Sequence, residues 1–93
     1  MNPEEIERHL QSIGKAKFII YYEAFRDLPL RDVQDLLERS EGLTRNGTAI
    51  RYSNAQALFR SNADLKEALR MVANAQIAQH LRQEARRILM ELE

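Results

Sequence analysis

Apolar residues recur along this chain at three- and four-residue spacing, the pattern of amphipathic helices rather than of strands. Ile6, Leu10 and Ile13 form the first stripe, preceded by Asn2 as an N-cap, Pro3 at the first helical position and Glu5 placed to complete a capping arrangement. Between Lys15 and Arg26, the residues Phe18, Ile19, Ile20, Tyr21, Tyr22 and Phe25 go round most of a helix. Such a segment is expected to be central or to form an interface. The spacing predicts one helix over 3–26, which Gly14 either kinks or joins at a cost of about 1 kcal/mol.

Pro29 ends that helix, because the residue before a proline disfavours helical geometry. Leu30, Val33, Leu36 and Leu37 then predict a helix over 30–40 with Asp32, Asp35 and Glu38 outside and Gly42 as its stop. Residues 43–52 hold the chain's only threonines and its only Asn-Gly pair. Asn46-Gly47 is a strong two-residue hairpin signal, although the flanking segments are too short for a stable sheet. Ser53 is placed to cap a short helix over 53–60, and Ser61 or Asn62 to cap the longest, 62–91. The stripe of this last helix runs Leu65, Leu69, Val72, Ala73, Ile77, Leu81, Ala85, Ile88 and Leu92.

The fold expected is therefore all-α: one domain over 1–93, a small bundle of four to five helices. Residues 43–52 form either a short hairpin or part of a helix-turn-helix-like unit. The stripes place Leu10, Phe18, Ile20, Phe25, Val33, Leu37, Leu58, Leu69, Val72, Ile77 and Leu81 in the core.

At 93 residues the chain buries only about 60–65% of the surface it exposes when unfolded. An interface shared with a second copy would help, and a homodimer through the aromatic segment or the last helix is expected. The absence of cysteine excludes disulfides, thiolate metal sites and cysteine nucleophiles. The acidic start, Met1-Asn2-Pro3-Glu4-Glu5, lacks the basic and apolar regions of a signal peptide. The longest apolar run, Phe18 to Tyr22, is far short of the roughly 20 residues that span a bilayer. A cytoplasmic protein without a membrane partner is the expectation.

Signatures of catalysis are missing. No Gly-rich phosphate loop, nucleophile elbow or two-histidine metal helix occurs, so no enzyme activity and no cofactor are expected. Glu5 with His9 and His80 with Glu84 are each one helical turn apart and would surround a zinc ion if the first and last helices met in register. Two exposed helix-surface pairs are the simpler reading, and no metal is assigned. Asn46-Gly47-Thr48 matches the N-glycosylation pattern, an accident in a chain without a secretory signal.

Acidic and basic residues balance at 14 each but are unevenly placed. No acid lies between Glu41 and Asp64, where the chain carries Arg45, Arg51 and Arg60. The same window holds Thr44, Asn46, Thr48, Tyr52 and Asn54, with Gln56 and Ser53 among them. Arginine and amide groups reach base edges, and arginines and hydroxyls hold phosphates. The window follows a compact helix and a Gly42 turn, where the second helix of a helix-turn-helix would begin. Gly47 then falls inside that helix, which is a mark against the arrangement. The competing structural role for the arginines is to neutralise Asp32, Asp35 and Glu38.

The function expected is a small, non-enzymatic, dimeric DNA-binding regulator contacting nucleic acid through Thr44, Arg45, Asn46, Thr48, Arg51, Tyr52, Asn54 and Arg60. The alternative is a helical protein–protein interaction module, an adaptor or inhibitor, without a nucleic-acid role.

Overall fold

In the computed structural model, which describes every residue from Met1 to Glu93, seven helices follow one another and no strand forms. They are α1 (Pro3–Ile13), α2 (Lys15–Ile20), α3 (Tyr22–Asp27), α4 (Leu30–Glu41), α5 (Arg45–Phe59), α6 (Asn62–Ala73) and α7 (Gln79–Leu92). The all-α class holds, with more helices than the four to five expected, because two long segments are broken. No helix is long and apolar enough to cross a membrane.

The start of α1 forms as its residues dictate. Asn2 Oδ1 accepts from the Glu5 amide at 2.8 Å, and Glu5 Oε1 accepts from the Asn2 amide at 3.3 Å, a reciprocal capping box. Segment 3–26 divides at Gly14, and again at Tyr21. The second break turns Ile20 outward, to 54% exposure, so the expectation that it is core is overturned. Neighbouring Ile19 takes the buried position instead. Segment 62–91 divides at residues 74–78, where Asn74 donates its amide to the Arg70 and Met71 carbonyls and ends α6. Ile77 consequently sits in a connection and is half-buried rather than core.

The hairpin at 43–52 does not form. Gly42, in the left-handed region at φ +66°, closes α4, and its amide reaches the Glu38 carbonyl at 3.2 Å. Thr44 then caps α5, its Oγ1 accepting from the Gly47 amide at 3.0 Å. Glycine suits this turn because a Cβ on residue 47 would stand 2.9 Å from that same Oγ1. The Asn-Gly turn preference thus yields to a helix N-terminus built around the glycine, and the helix expected at 53–60 begins eight residues sooner, at Arg45.

The core draws on every helix. Leu10, Phe18, Phe25, Val33, Leu37, Leu58, Leu69 and Val72 are fully shut from solvent, and Leu81 nearly so, as the stripes predict. Phe18, Tyr22 and Phe59 form an aromatic cluster with ring centroids 5.3–5.8 Å apart. Helices α6 and α7 run antiparallel: Arg86 donates to the Ala73 carbonyl, Arg82 to the Ala75 carbonyl, and Arg70 pairs with Glu93 at the far end. Helix α5 is the other organiser. It lies antiparallel to α1, and it receives α3 and α4 on neighbouring sides.

Candidate nucleic-acid interface

Helix α5 contains no acidic residue, and its side chains divide into two sets. The inner set ties the bundle together. Thr48 is fully buried, and its hydroxyl has no hydrogen-bond partner. Arg51 donates from Nε to the Ile13 carbonyl at 3.3 Å, satisfying a group at the open C-terminal end of α1. Tyr52 donates its hydroxyl to the Leu28 carbonyl at 3.1 Å, and Gln56 donates to the Phe25 carbonyl at 2.6 Å. Asn54 donates to Ser12 Oγ at 3.1 Å, and its Oδ1 lies 2.5 Å from His9 Nδ1. Four of the eight residues expected at a nucleic-acid surface, Thr48, Arg51, Tyr52 and Asn54, are therefore occupied within the fold.

The outer set forms a continuous stripe at helical spacing: Asn46, Ile50, Ser53 and, just past the last turn, Arg60. All four are exposed, Ile50 to 51%, and none of their side chains is hydrogen-bonded to the rest of the protein. Half-buried Ala49 and Ala57 flank the stripe. Two of the expected residues, Asn46 and Arg60, lie on this stripe, whereas exposed Arg45 and Thr44 at the start of α5 are engaged with α4 and with the Gly47 amide. Ile50 and Ser53 complete the stripe. Both lie in the acid-free window but outside the eight expected contacts, because the two faces of α5 are almost equally polar and only packing separates them.

Arg45 stands at the corner between α4 and α5. Its guanidinium bonds Asp35 at 3.0 Å and Glu38 at 3.3 Å, and Gln34 Oε1 at 3.3 Å. The Asp35 bond, reinforced by Glu38, raises its pKa above the ordinary arginine value. The competing structural role is met in part: one arginine neutralises two of the three acids expected for it, Asp35 and Glu38, whereas Arg51 and Arg60 neutralise none. All three charges remain half-exposed, so the pairing is readily exchanged for another anion. Arg31 lies one turn before Asp35 on α4, exposed and without a carboxylate partner.

The spatial relation of these parts is helix, three-residue turn at 42–44, helix, with the outer stripe beginning at the second residue of α5. This is the connectivity in which the second helix presents its N-terminal turns to a groove while the first crosses a sugar-phosphate backbone.

A different feature lies across the molecule. Ile19, Ile20 and Tyr22 from α2 and α3, Leu36 from α4, and Ile88 and Leu92 from α7 line a cavity of about 420 Å³. Most of its rim charges are paired, Arg87 with Glu84 and Glu91, and Arg26 with Asp27 at 2.7 Å, while Glu23 has no cation partner. The Arg87 bond holds the Glu84 carboxyl below the usual carboxylate range, and Arg26 does the same for Asp27. Tyr22 is pushed above the usual phenol value by burial. The candidate zinc residues do not converge: Glu5 caps α1, His9 faces Asn54, and no group of three or more His, Cys, Asp or Glu side chains comes together.

The chain matches no family model, none of the curated proteins searched and no solved structure.

Proposed function

We propose that this chain is a small non-enzymatic DNA-binding module that docks the outer stripe of α5 in the major groove. One observation carries the reading: a solvent-facing helix surface, free of carboxylates along its whole length, set behind a three-residue turn from α4. A carboxylate on such a surface would repel phosphates at close range, and none is present. Arg45, Arg60 and Arg31 are the cations placed to hold the backbone on either side. Arg45 has a second task, since it screens Asp35 and Glu38 from an approaching phosphate.

Anisotropy titration of a labelled mixed-sequence duplex at two salt concentrations tests this directly. Wild type should bind at low salt and weaken as salt rises, each phosphate-bound arginine adding about 1 to the slope. Ser53→Glu, which places a carboxylate in the middle of an exposed stripe, should abolish binding while leaving the helical circular-dichroism spectrum unchanged. Arg45→Ala should weaken binding by more than one phosphate contact, because it also uncovers two acids. Absence of binding by wild type at low salt would refute the proposal.

The cavity between α2, α3, α4 and α7 supports the second reading, a protein-docking module. Its apolar floor and mostly paired rim suit an apolar helix face, from a second copy of the chain or from another protein. Sedimentation of wild type and Ile20→Glu distinguishes that reading, since the substitution would dissociate a complex seated there and leave DNA binding by a monomer intact.

A further inference from the structure

We infer that the outer stripe of α5 reads A·T base pairs, Asn46 bonding an adenine and Ile50 packing on a thymine methyl group. The inference rests on the DNA-binding reading above and goes beyond it by naming the chemistry recognised.

The side chains decide the class. In the major groove an asparagine amide matches the adjacent acceptor and donor that adenine presents at N7 and N6, and guanine offers two acceptors there instead. Asn46 is the second residue of α5, exposed, with its amide engaged by nothing in the protein. Guanine is read chiefly by a free arginine or lysine. The first turns of α5 hold two arginines, and neither lies on the stripe: Arg45 turns toward Asp35, Glu38 and Gln34 on α4, and Arg51 toward the Ile13 carbonyl. What the stripe offers next is Ile50, an aliphatic side chain half open to water on an otherwise polar surface. The one apolar group on the major-groove edges of the four bases is the C5-methyl of thymine.

The spacing agrees. Four residues separate Asn46 from Ile50, which is about 6 Å along a helix axis. With base pairs about 3.4 Å apart, two side chains so spaced along the groove reach bases about two pairs apart. Small flanking residues, Ala49 and Ser53, let the helix approach without a clash. Charge complementarity favours nucleic acid over a protein surface as the occupant, because α5 and its C-cap carry Arg45, Arg51 and Arg60 and no acid, while Asp35 and Glu38 on α4 are paired with Arg45.

Three duplexes of equal length test the assignment: one of A·T pairs only, one of G·C pairs only, and an A·T duplex with every thymine replaced by uracil. Wild type should prefer A·T to G·C by roughly 5- to 150-fold, the range of one good base contact, and should lose several-fold on the uracil duplex. Asn46→Ala should cut the preference between A·T and G·C to the several-fold part that Ile50 supplies, the part lost on the uracil duplex, while keeping salt-dependent binding. Ile50→Ala should bind the thymine and uracil duplexes alike. Both residues are exposed, so circular dichroism of the variants should match wild type. Equal binding of all three duplexes, or an A·T preference that survives Asn46→Ala and is indifferent to uracil, would overturn base reading and leave a backbone-binding module. No binding to any duplex would overturn the DNA-binding proposal itself.

Discussion

Thr48 offers the sharpest test of how α5 is built. Its side chain is fully buried and its hydroxyl has no partner. The nearest carbonyl along the helix, that of Thr44, already accepts from the Thr48 amide at 2.9 Å. A buried hydroxyl without a partner leaves a desolvation cost of about 1–3 kcal/mol uncompensated. Valine has nearly the same shape and a similar helix propensity, so Thr48→Val removes that cost without opening a cavity. The variant should be more stable than wild type by about 1–3 kcal/mol. In a domain of this size each kcal/mol moves Tm by about 4–8 °C. Thr48→Ser keeps the hydroxyl and deletes the methyl, and should lose about 0.5–1.5 kcal/mol. Urea denaturation followed by far-UV circular dichroism measures both. If Thr48→Val unfolds at or below the wild-type midpoint, the hydroxyl has a partner, such as a buried water, and the reasoning fails. Thr48 was expected to touch nucleic acid from its position in the acid-free window; as a buried residue it predicts unchanged DNA affinity in Thr48→Val.

Three further outcomes follow. Gly47→Ala, which at an ordinary helix position gains about 1 kcal/mol, should show no gain, because its Cβ collides with the Thr44 cap, itself worth about 1 kcal/mol; a full kcal/mol of stabilisation by thermal melting would refute this. Phe25→Ala should cost about 3–5 kcal/mol in urea denaturation, since the ring is fully enclosed, and near-native melting would show the site collapses. In a carboxyl NMR titration, Arg87→Met should return Glu84 to the usual carboxylate range. Its folded pKa lies below the unfolded one, so the pair's small contribution is present above the ordinary carboxylate pKa and lost as pH falls through the lowered value; identical titration of Glu84 in both proteins would count against the bond.

Much of this architecture is written in local pattern. The Asn2-Pro3-Glu5 start, the Pro29 boundary and the Gly42 stop each act through a few neighbouring residues and appear where expected. What escapes local pattern is decided between segments. The apolar stripe of 62–91 runs unbroken through Ile77, and nothing in Asn74-Ala75-Gln76 is a strong breaker. The chain turns there because α7 folds back on α6, with Arg86 bonding the Ala73 carbonyl at the end of α6 and Arg82 the Ala75 carbonyl of the connection. Ile20 sits in a segment apolar all round, so spacing alone could not choose between it and Ile19. The acid-free window was visible as composition. Which of its polar groups bond inward is a property of packing against α1 and α3, as Asn54 and Tyr52 illustrate.

The division of α5 into two faces has an evolutionary consequence. Its inner side chains are bonded to α1 and to the end of α3, so the helix backbone is ordered before any partner arrives and little ordering entropy is lost on contact. Its outer side chains contribute none of those bonds, and substitutions at such positions usually change stability by less than about 0.5 kcal/mol. On the DNA-binding reading proposed above, recognition can therefore drift while the scaffold stays fixed. Among chains descended from a common ancestor with this one, Gly47, Arg51 and Gln56 should persist as a framework, while positions 46, 50 and 53 change together as each lineage acquires its own target.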